Sequence, residues 1–271
     1  MELQGRVVVI TGGASGIGRA LAGRVAAEGA RGVVVADLDG TGAEAVAGSL
    51  GPATLGVRCD VSSDAEVGAL ISRAEESFGP IDVFFANAGI GSGSGLDADD
   101  ELWEASWGVN VRAHVYAARR LVPGWLERGE GYFVSTASAA GLLSQIGDAP
   151  YSVTKAGAVS FAEWLSLTFG DRGVRVSCLC PMGVNTALLN AGLEMAGPEG
   201  VGARVVAAAG RILEPEDVAD EVVAAVRDER FLILPHAEVG EFLRRKGSDP
   251  ERWLAGMRRL QAHVMGAPPQ D

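Results

Sequence analysis

Apolar residues in this chain come in two alternating textures. Short runs of β-branched and other apolar residues, beginning with residues 6–11 (Arg-Val-Val-Val-Ile-Thr), alternate with longer alanine-rich stretches whose apolar positions recur at helical spacing. The short runs predict strands at 6–11, 32–37, 54–60, 81–86, 132–135, 174–180 and 231–234. The longer stretches predict helices at 16–29, 41–50, 64–78, 107–127, 150–171, 188–209 and 215–227. Runs such as Val33-Val34-Val35-Ala36 are apolar throughout rather than alternating, as strands covered on both faces are. Strand–helix alternation over most of the chain predicts an α/β protein: one doubly wound parallel sheet with right-handed crossovers and helices on both faces.

A chain of 271 residues is long enough to bury a core without disulfides or a structural metal. One domain over 1–237 is expected, followed by a C-terminal helical extension over 238–271. There Trp253, Met257, Leu260 and Val264 share a helical face. That helix either packs on its own domain or covers the substrate pocket or a neighbouring subunit. Residues 266–271 are expected to fray.

Charge narrows the partners. With 35 acidic and 23 basic side chains the formal net charge is −12, which disfavours nucleic acid and anionic membrane surfaces. The start carries no basic, apolar leader pattern and no stretch is long enough to span a bilayer, so no secretion or membrane insertion is expected. Cys59, Cys178 and Cys180 lack the spacing of a disulfide framework or zinc knuckle, and a reducing cytoplasm fits them.

Between the first strand and helix lies Thr11-Gly12-Gly13-Ala14-Ser15-Gly16-Ile17-Gly18, a G-x-x-x-G-x-G pattern. Such glycines let a backbone turn tightly and approach a pyrophosphate, held by free N–H groups and the helix dipole. A tight strand-to-helix turn alone would also use them. Asp37, 19 residues after Gly18 at the end of the second strand, adds the carboxylate expected to hold an adenosine ribose. A 2′-phosphate would meet that charge, and neither Leu38-Asp39 nor Ser15 supplies a cation, so the cofactor expected is NAD rather than NADP. The other role open to Asp37 is capping the next helix.

Tyr151-Ser152-Val153-Thr154-Lys155 opens the long helix with a tyrosine and a lysine at i and i+4, on one face. Lowering a phenol's pKa by ~3 units takes about 4 kcal/mol, which one ammonium at ~4 Å can supply in an effective dielectric of ~20. Ser138, 13 residues upstream, follows the strand at 132–135, at the carboxyl end where such sheets place ligands. The spacing alone also suits an ordinary surface pair.

Taken together these motifs resemble the short-chain dehydrogenase/reductase family from Leu3 to about Pro235. The resemblance implies a single-domain Rossmann-like fold of about seven strands. By it, Gly12, Ser15, Gly16, Ile17, Gly18, Asp37, Leu38, Asp60, Val61, Asn87, Ala88 and Gly89 bind the dinucleotide, with Pro181, Gly183, Val184 and Thr186 at its nicotinamide end. Asn110, Ser138, Tyr151 and Lys155 match the catalytic tetrad, Tyr151 and Lys155 also contacting the cofactor. Two positions depart from the pattern: Met182 replaces a glycine and Ala137 a serine.

The implied reaction is NAD-dependent interconversion of a secondary alcohol and its ketone. Tyr151 is the general acid/base, Ser138 positions the oxygen, Lys155 lowers the tyrosine pKa and Asn110 supports a water chain. No metal is required, and His114, His236 and His263 read as surface or packing histidines. Walls at 91–96, 142–148 and after Thr186, with Leu142, Leu143, Ile146, Leu188, Leu189, Leu193 and Met195, point to a lipophilic substrate under a lid at 186–212. Alternatively those leucines are core. Small residues after Tyr151 (Gly157, Ala158, Ala162) allow helix pairing in a homodimer or homotetramer, or packing on the sheet. A lyase or epimerase on the same fold, or a non-catalytic NAD-binding regulator, are the other functions weighed; no G-x-S-x-G elbow supports a serine hydrolase.

Overall fold

The computed structural model describes residues 1–195 and 197–265; the tail expected to fray, 266–271, lies outside them. The chain runs β1 (Val7–Thr11), α1 (Gly16–Ala27), β2 (Gly32–Asp37), α2 (Gly40–Leu50), β3 (Thr54–Arg58), α3 (Asp64–Phe78) and β4 (Val83–Ala86). It continues with α4 (Asp100–Trp107), a π-helical turn (Gly108–Arg112), α5 (Ala113–Arg128), β5 (Gly131–Thr136), α6 (Ala139–Leu143), α7 (Ala149–Phe169) and β6 (Val174–Leu179). The last elements are α8 (Ala187–Glu194), α9 (Val201–Ala209), α10 (Pro215–Arg227), β7 (Leu232–Ile233), α11 (Ala237–Ser248) and α12 (Pro250–Val264).

The seven strands form one sheet in the order β3-β2-β1-β4-β5-β6-β7, every neighbouring pair parallel. This is the doubly wound arrangement that the apolar runs predict. Successive strands point alternate side chains to opposite faces. Val7, Val9, Phe84 and Phe133 pack under α3, α5 and α7, while Val8, Ile10, Phe85 and Tyr132 pack under α1, α2 and α10. From β1 the chain winds outward to β3, then crosses back to β4 on the other side of β1. The carboxyl ends of β1 and β4 therefore splay two sets of loops apart and leave a crevice, the switch point where such sheets bind ligands.

Several elements differ from expectation for identifiable reasons. The helix expected at 107–127 starts earlier, where Asp99 accepts the Leu102 N–H at 2.8 Å, and passes through the π turn before α5. The helix expected at 188–209 is two, α8 and α9, because Gly197 and Gly200 interrupt it with a 3-10 turn. The extension is also two helices: Asp249 caps α12 by accepting the Arg252 N–H at 3.0 Å, and Pro250 opens it.

Phe242 and Trp253 close this hairpin with ring centroids 6.0 Å apart. Its helix α11 packs on α6 and α12 packs on α9. Lys246 Nζ donates to the Leu142 carbonyl at 2.6 Å. The extension therefore packs on its own domain, against the two short helices that flank the crevice.

Candidate functional site

The crevice is a cavity of about 610 Å³ at the carboxyl ends of the strands. All the residues expected to bind dinucleotide or catalyse line it, except Asn110 and Gly183. Its floor at the β1 end is a cradle that only glycine can form. Gly12 and Gly16 have φ of +66° and +52°, in the left-handed region. A Cβ on Gly18 would lie 2.0 Å from the Gly12 carbonyl oxygen, and one on Gly12 would lie 2.8 Å from Ala88 Cα. The helix that starts here, α1, has no side-chain cap from Ser15 and no acid in its first turn. Its N–H groups and positive dipole end face the cavity, which suits a pyrophosphate.

Asp37 stands at the end of β2 beside this cradle. Its carboxylate accepts the Ala14 N–H at 3.0 Å and the Asp39 N–H at 3.1 Å, which fixes it against the glycine loop and leaves lone pairs for a ribose. It does not cap α2; Asp39 does, accepting from Gly42 N at 3.0 Å. Asp37 is paired in register with Arg58, whose guanidinium is committed to Glu66 at 3.0 Å. Asp60 accepts both the N–H and the hydroxyl of Ser62, at 2.9 and 2.7 Å. Asn87 joins three strand ends: its Nδ2 donates to the Thr11 carbonyl at 2.9 Å and its Oδ1 accepts the Thr136 hydroxyl at 3.2 Å.

The catalytic candidates converge from three elements: the π turn, the start of α6 and α7. The π turn inserts an extra residue into the helix ladder and swings Asn110 toward the β4 loop. Fully buried, its Oδ1 accepts the Ile90 N–H at 3.0 Å, while Nδ2 donates to the Ile90 carbonyl at 2.9 Å and to Thr154 Oγ1 at 3.0 Å. One amide thus ties the loop after β4 to α7, behind the cavity wall. On α7, Lys155 is buried and its Nζ donates to the Thr136 carbonyl at 2.9 Å. A Cβ on Gly89 would come within 2.9 Å of that nitrogen, so residue 89 must be small. Nζ lies 5.7 Å from the centre of the Tyr151 ring.

Ser138 accepts the Ala140 N–H at 3.1 Å as cap of α6 and donates to the Pro181 carbonyl at 3.5 Å. Its hydroxyl lies near enough to the Tyr151 phenol to lower that group's pKa.

Burial dominates the electrostatics here. It pushes the Tyr151 phenol above its ordinary value, and the Asp148 carboxylate adds to that, while the nearby Ser138 hydroxyl opposes both. Burial also pulls Lys155 down to about 8. The protein's own groups therefore favour neutral phenol when no further positive charge is present. His114, on α5, is buried with Nδ1 3.0 Å from the Ser135 hydroxyl, and burial, aided by Lys155, pulls it down to about 3. It is a neutral packing histidine.

Sequence reasoning assigned Asp148 only to the pocket wall, yet it accepts four hydrogen bonds: Ser92 Oγ at 2.6 Å, the N–H groups of Ser92 and Gly93 at 2.8 Å each, and Tyr151 N at 3.0 Å. It caps α7 one turn before Tyr151 and locks the loop after β4 to that helix. The signal was present in Asp148-Ala149-Pro150, a helix start with proline in its first turn. Of the expected apolar wall, Leu188, Leu189 and Met195 line the cavity; Leu142, Leu143, Ile146 and Leu193 do not, and Leu142 packs on the core instead.

The Pro181–Thr186 segment crosses the cavity between β6 and α8. Val184 bridges to Leu213 in parallel, and Thr186, which caps α8, sets its methyl 3.1 Å from where a Gly16 Cβ would be. The segment thus closes onto the glycine cradle, and Met182 lines the cavity without disturbing the register of Val184 and Thr186. His236, expected as a surface or packing residue, is buried behind it.

Comparison with known proteins is unambiguous. Residues 6–196 match the family model described as short chain dehydrogenase. The chain belongs to the short-chain dehydrogenase family. It is 36% identical over 242 residues to 2-(S)-hydroxypropyl-CoM dehydrogenase 3 of Xanthobacter autotrophicus, covering 86% of this chain and 93% of that one. It is 33% identical over 233 residues to (+)-borneol dehydrogenase 1 of Salvia officinalis, covering 84% and 89%. A crystal structure of a short chain dehydrogenase/reductase from Burkholderia phymatum in complex with NAD superposes with a TM-score of 0.82 at 31% identity, covering 100% of this chain and 98% of that one. Among the described residues no group of three or more His, Cys, Asp or Glu is placed to hold a metal, and no helix is long and apolar enough to cross a membrane.

The buried ammonium has a measurable consequence. Lys155 titrates near 8 in the folded protein against 10.5 when exposed, so between those values the unfolded chain binds the extra proton and stability rises with pH. Below about pH 8 the full cost, about 3 kcal/mol, is present. Lys155→Met is expected to raise the melting temperature by several degrees near neutral pH, the gain shrinking as pH climbs past 8. A melting temperature lowered at neutral pH contradicts this.

Proposed function

We propose that the chain is an NAD-dependent oxidoreductase that interconverts a lipophilic secondary alcohol and its ketone, with Tyr151 as general acid/base. The observation that carries this reading is the convergence of Tyr151, Ser138 and buried Lys155 on one cavity whose other end is the glycine cradle with Asp37.

Bound NAD would be held by the cradle at its pyrophosphate, by Asp37 at its adenosine ribose, and by Val184 and Thr186 at its nicotinamide end; it supplies the hydride acceptor. The chain's residues supply the rest. Ser138 Oγ holds the substrate oxygen. Tyr151 Oη takes the substrate's hydroxyl proton in oxidation, and in reduction the neutral phenol returns a proton to the ketone oxygen. The positive charge of the oxidised ring would favour the phenolate when the cofactor is bound, and the Lys155 ammonium, 5.7 Å from the centre of the Tyr151 ring, would add to it. Asn110 acts from behind the wall by fixing the Ile90 loop and α7 together.

Preference for NAD follows from charge. Asp37 would repel a 2′-phosphate, and the neighbouring Arg58 is paired with Glu66. The substrate end is apolar, with Met182, Leu188, Met195, Ala203 and Val206 around Tyr151, and Lys155 is the single cation among the lining residues described. An anionic substrate would find Asp148 and Glu199 there instead. A relative named as a dehydrogenase of the terpenoid alcohol borneol supports a lipophilic substrate. Helices α8 and α9, within 186–212, form the lid of the domain at 1–237, with α11 and α12 of the extension behind it.

Val153, Trp164 and Leu167 expose apolar surface along α7 beside Trp107 of α4, which supports pairing into a homodimer or homotetramer through that helix. Three free, buried thiols support a cytoplasmic location.

A panel of secondary alcohols and ketones assayed with both nicotinamide cofactors tests the reading. Net NADH formation from apolar alcohols is expected, and its absence with every substrate favours an epimerase or a binding regulator. Tyr151→Phe is expected to lower kcat by about 100-fold or more while NADH affinity stays nearly unchanged; full activity refutes the role of Tyr151. Asp37→Ser combined with Leu38→Arg is expected to move the preference toward NADP, measured as the ratio of kcat/KM values; a starting protein with a lower KM for NADP than for NAD contradicts the assignment of Asp37.

A further inference from the structure

We propose that His236 is a positioning residue for the hydride-transfer end of the cavity, its imidazole pinning the Pro181–Gly183 segment to the chain that returns from the lid at Arg211. This rests on the reading of that end of the cavity given above.

His236 lies between β7 and α11 and is 3% exposed. Its Nδ1 is 3.2 Å from the Met182 N–H, and its Nε2 is 3.0 Å from the Gly183 carbonyl and 3.1 Å from the Arg211 carbonyl. The backbone N–H can only donate and the two carbonyls can only accept. One form of the ring satisfies all three contacts: neutral, with the proton on Nε2 and a bare Nδ1. The Gly183 carbonyl also accepts the Leu213 N–H at 2.9 Å, and the Leu213 carbonyl accepts the Asn185 N–H at 2.8 Å. The imidazole therefore completes a small ladder joining the strand that enters the lid to the strand that leaves it.

The departure from the family pattern sits on this ladder. Met182 replaces a glycine, and its side chain runs toward Gly210: a Cβ there would lie 2.5 Å from Met182 Cε and 2.6 Å from Glu238 Oε1. Met182, Gly210 and Glu238 at the start of α11 pack together, and His236, which precedes α11, accepts the Met182 N–H. Two residues along, Val184 and Thr186 face the cavity, and Thr186 touches the glycine cradle. A shift at Met182 is passed directly to the residues at the nicotinamide end. The extension after β7 thereby acquires a link to the reaction that its distance from Tyr151 in sequence does not suggest.

The test compares the full chain with His236→Phe, which keeps the bulk and loses all three polar contacts, and His236→Gln, which keeps a donor toward the two carbonyls. Three readouts are taken: hydrogen exchange of peptides spanning 181–186 and 211–214, NADH affinity by fluorescence titration, and kcat on an oxidised alcohol. In His236→Phe both peptides exchange faster and kcat falls about tenfold or more, because displacement of reacting groups is costly. NADH affinity, set largely by the remote cradle and Asp37, changes by less than about threefold. His236→Gln keeps protection at 211–214, and its kcat falls less.

A His236→Phe protein with kcat within about twofold of the starting protein, or with unchanged exchange in both peptides, overturns the proposal. Should His236→Phe fail to fold, His236→Gln decides: faster exchange at 181–186 with a lowered kcat supports the proposal, and no change in either overturns it. Should the unaltered chain oxidise no alcohol, the oxidoreductase reading fails while the exchange measurement still decides for or against His236.

Discussion

A positive charge held inside the protein is the constraint around which this structure is arranged. Lys155 is buried on α7 with its ammonium on the Thr136 carbonyl, in surroundings that pull its pKa down to about 8. Holding it there requires several features far apart in sequence. Residue 89 must be small to leave room for the amine. The π turn must present Asn110 so that its amide bridges the Ile90 loop and Thr154. Asp148 must start α7 at the right place, which also fixes Tyr151. A buried charge that costs stability and is nonetheless surrounded by shaped, satisfied groups is what a site of chemistry looks like.

The same arrangement explains why the phenol is neutral in the protein alone. Burial raises Tyr151 and lowers Lys155, so neither group is displaced toward reaction by its neighbour alone. The cavity is poised for a ligand that brings its own positive charge to the tyrosine, and the glycine cradle at the other end of the same cavity fits the far part of such a ligand.

Much of the fold was legible in the sequence because a parallel sheet buried on both faces leaves uninterrupted apolar runs, and those runs are the strands. The cradle was legible because φ near +60° at Gly12 and Gly16 and the close approach at Gly18 exclude side chains. Tyr151 and Lys155 were legible because helical geometry fixes what i and i+4 share. What escaped depends on long-range packing. The breaks in the 188–209 helix and in the tail do have local signals in Gly197, Gly200 and Asp249-Pro250, whereas nothing local announces that Asn110 lies in a π turn or that Leu142 faces the core. His236 reads only as a surface or packing histidine for the same reason: a lone histidine after a short strand carries no signal of the carbonyls that fold back onto it. Asp37 shows the reverse case, since two roles were compatible with its position and only the coordinates gave the cap to Asp39.

Isotope tracing is the most direct test of the central claim, that this cavity moves a hydride between a secondary alcohol and a nicotinamide ring under Tyr151 and Lys155. An alcohol deuterated at its carbinol carbon is oxidised with NAD, and the reduced cofactor is examined by mass spectrometry. The account predicts that the label appears in the reduced nicotinamide, with turnover slowed by the heavier atom. Label released to water, or a product formed with no label in the cofactor, would contradict it.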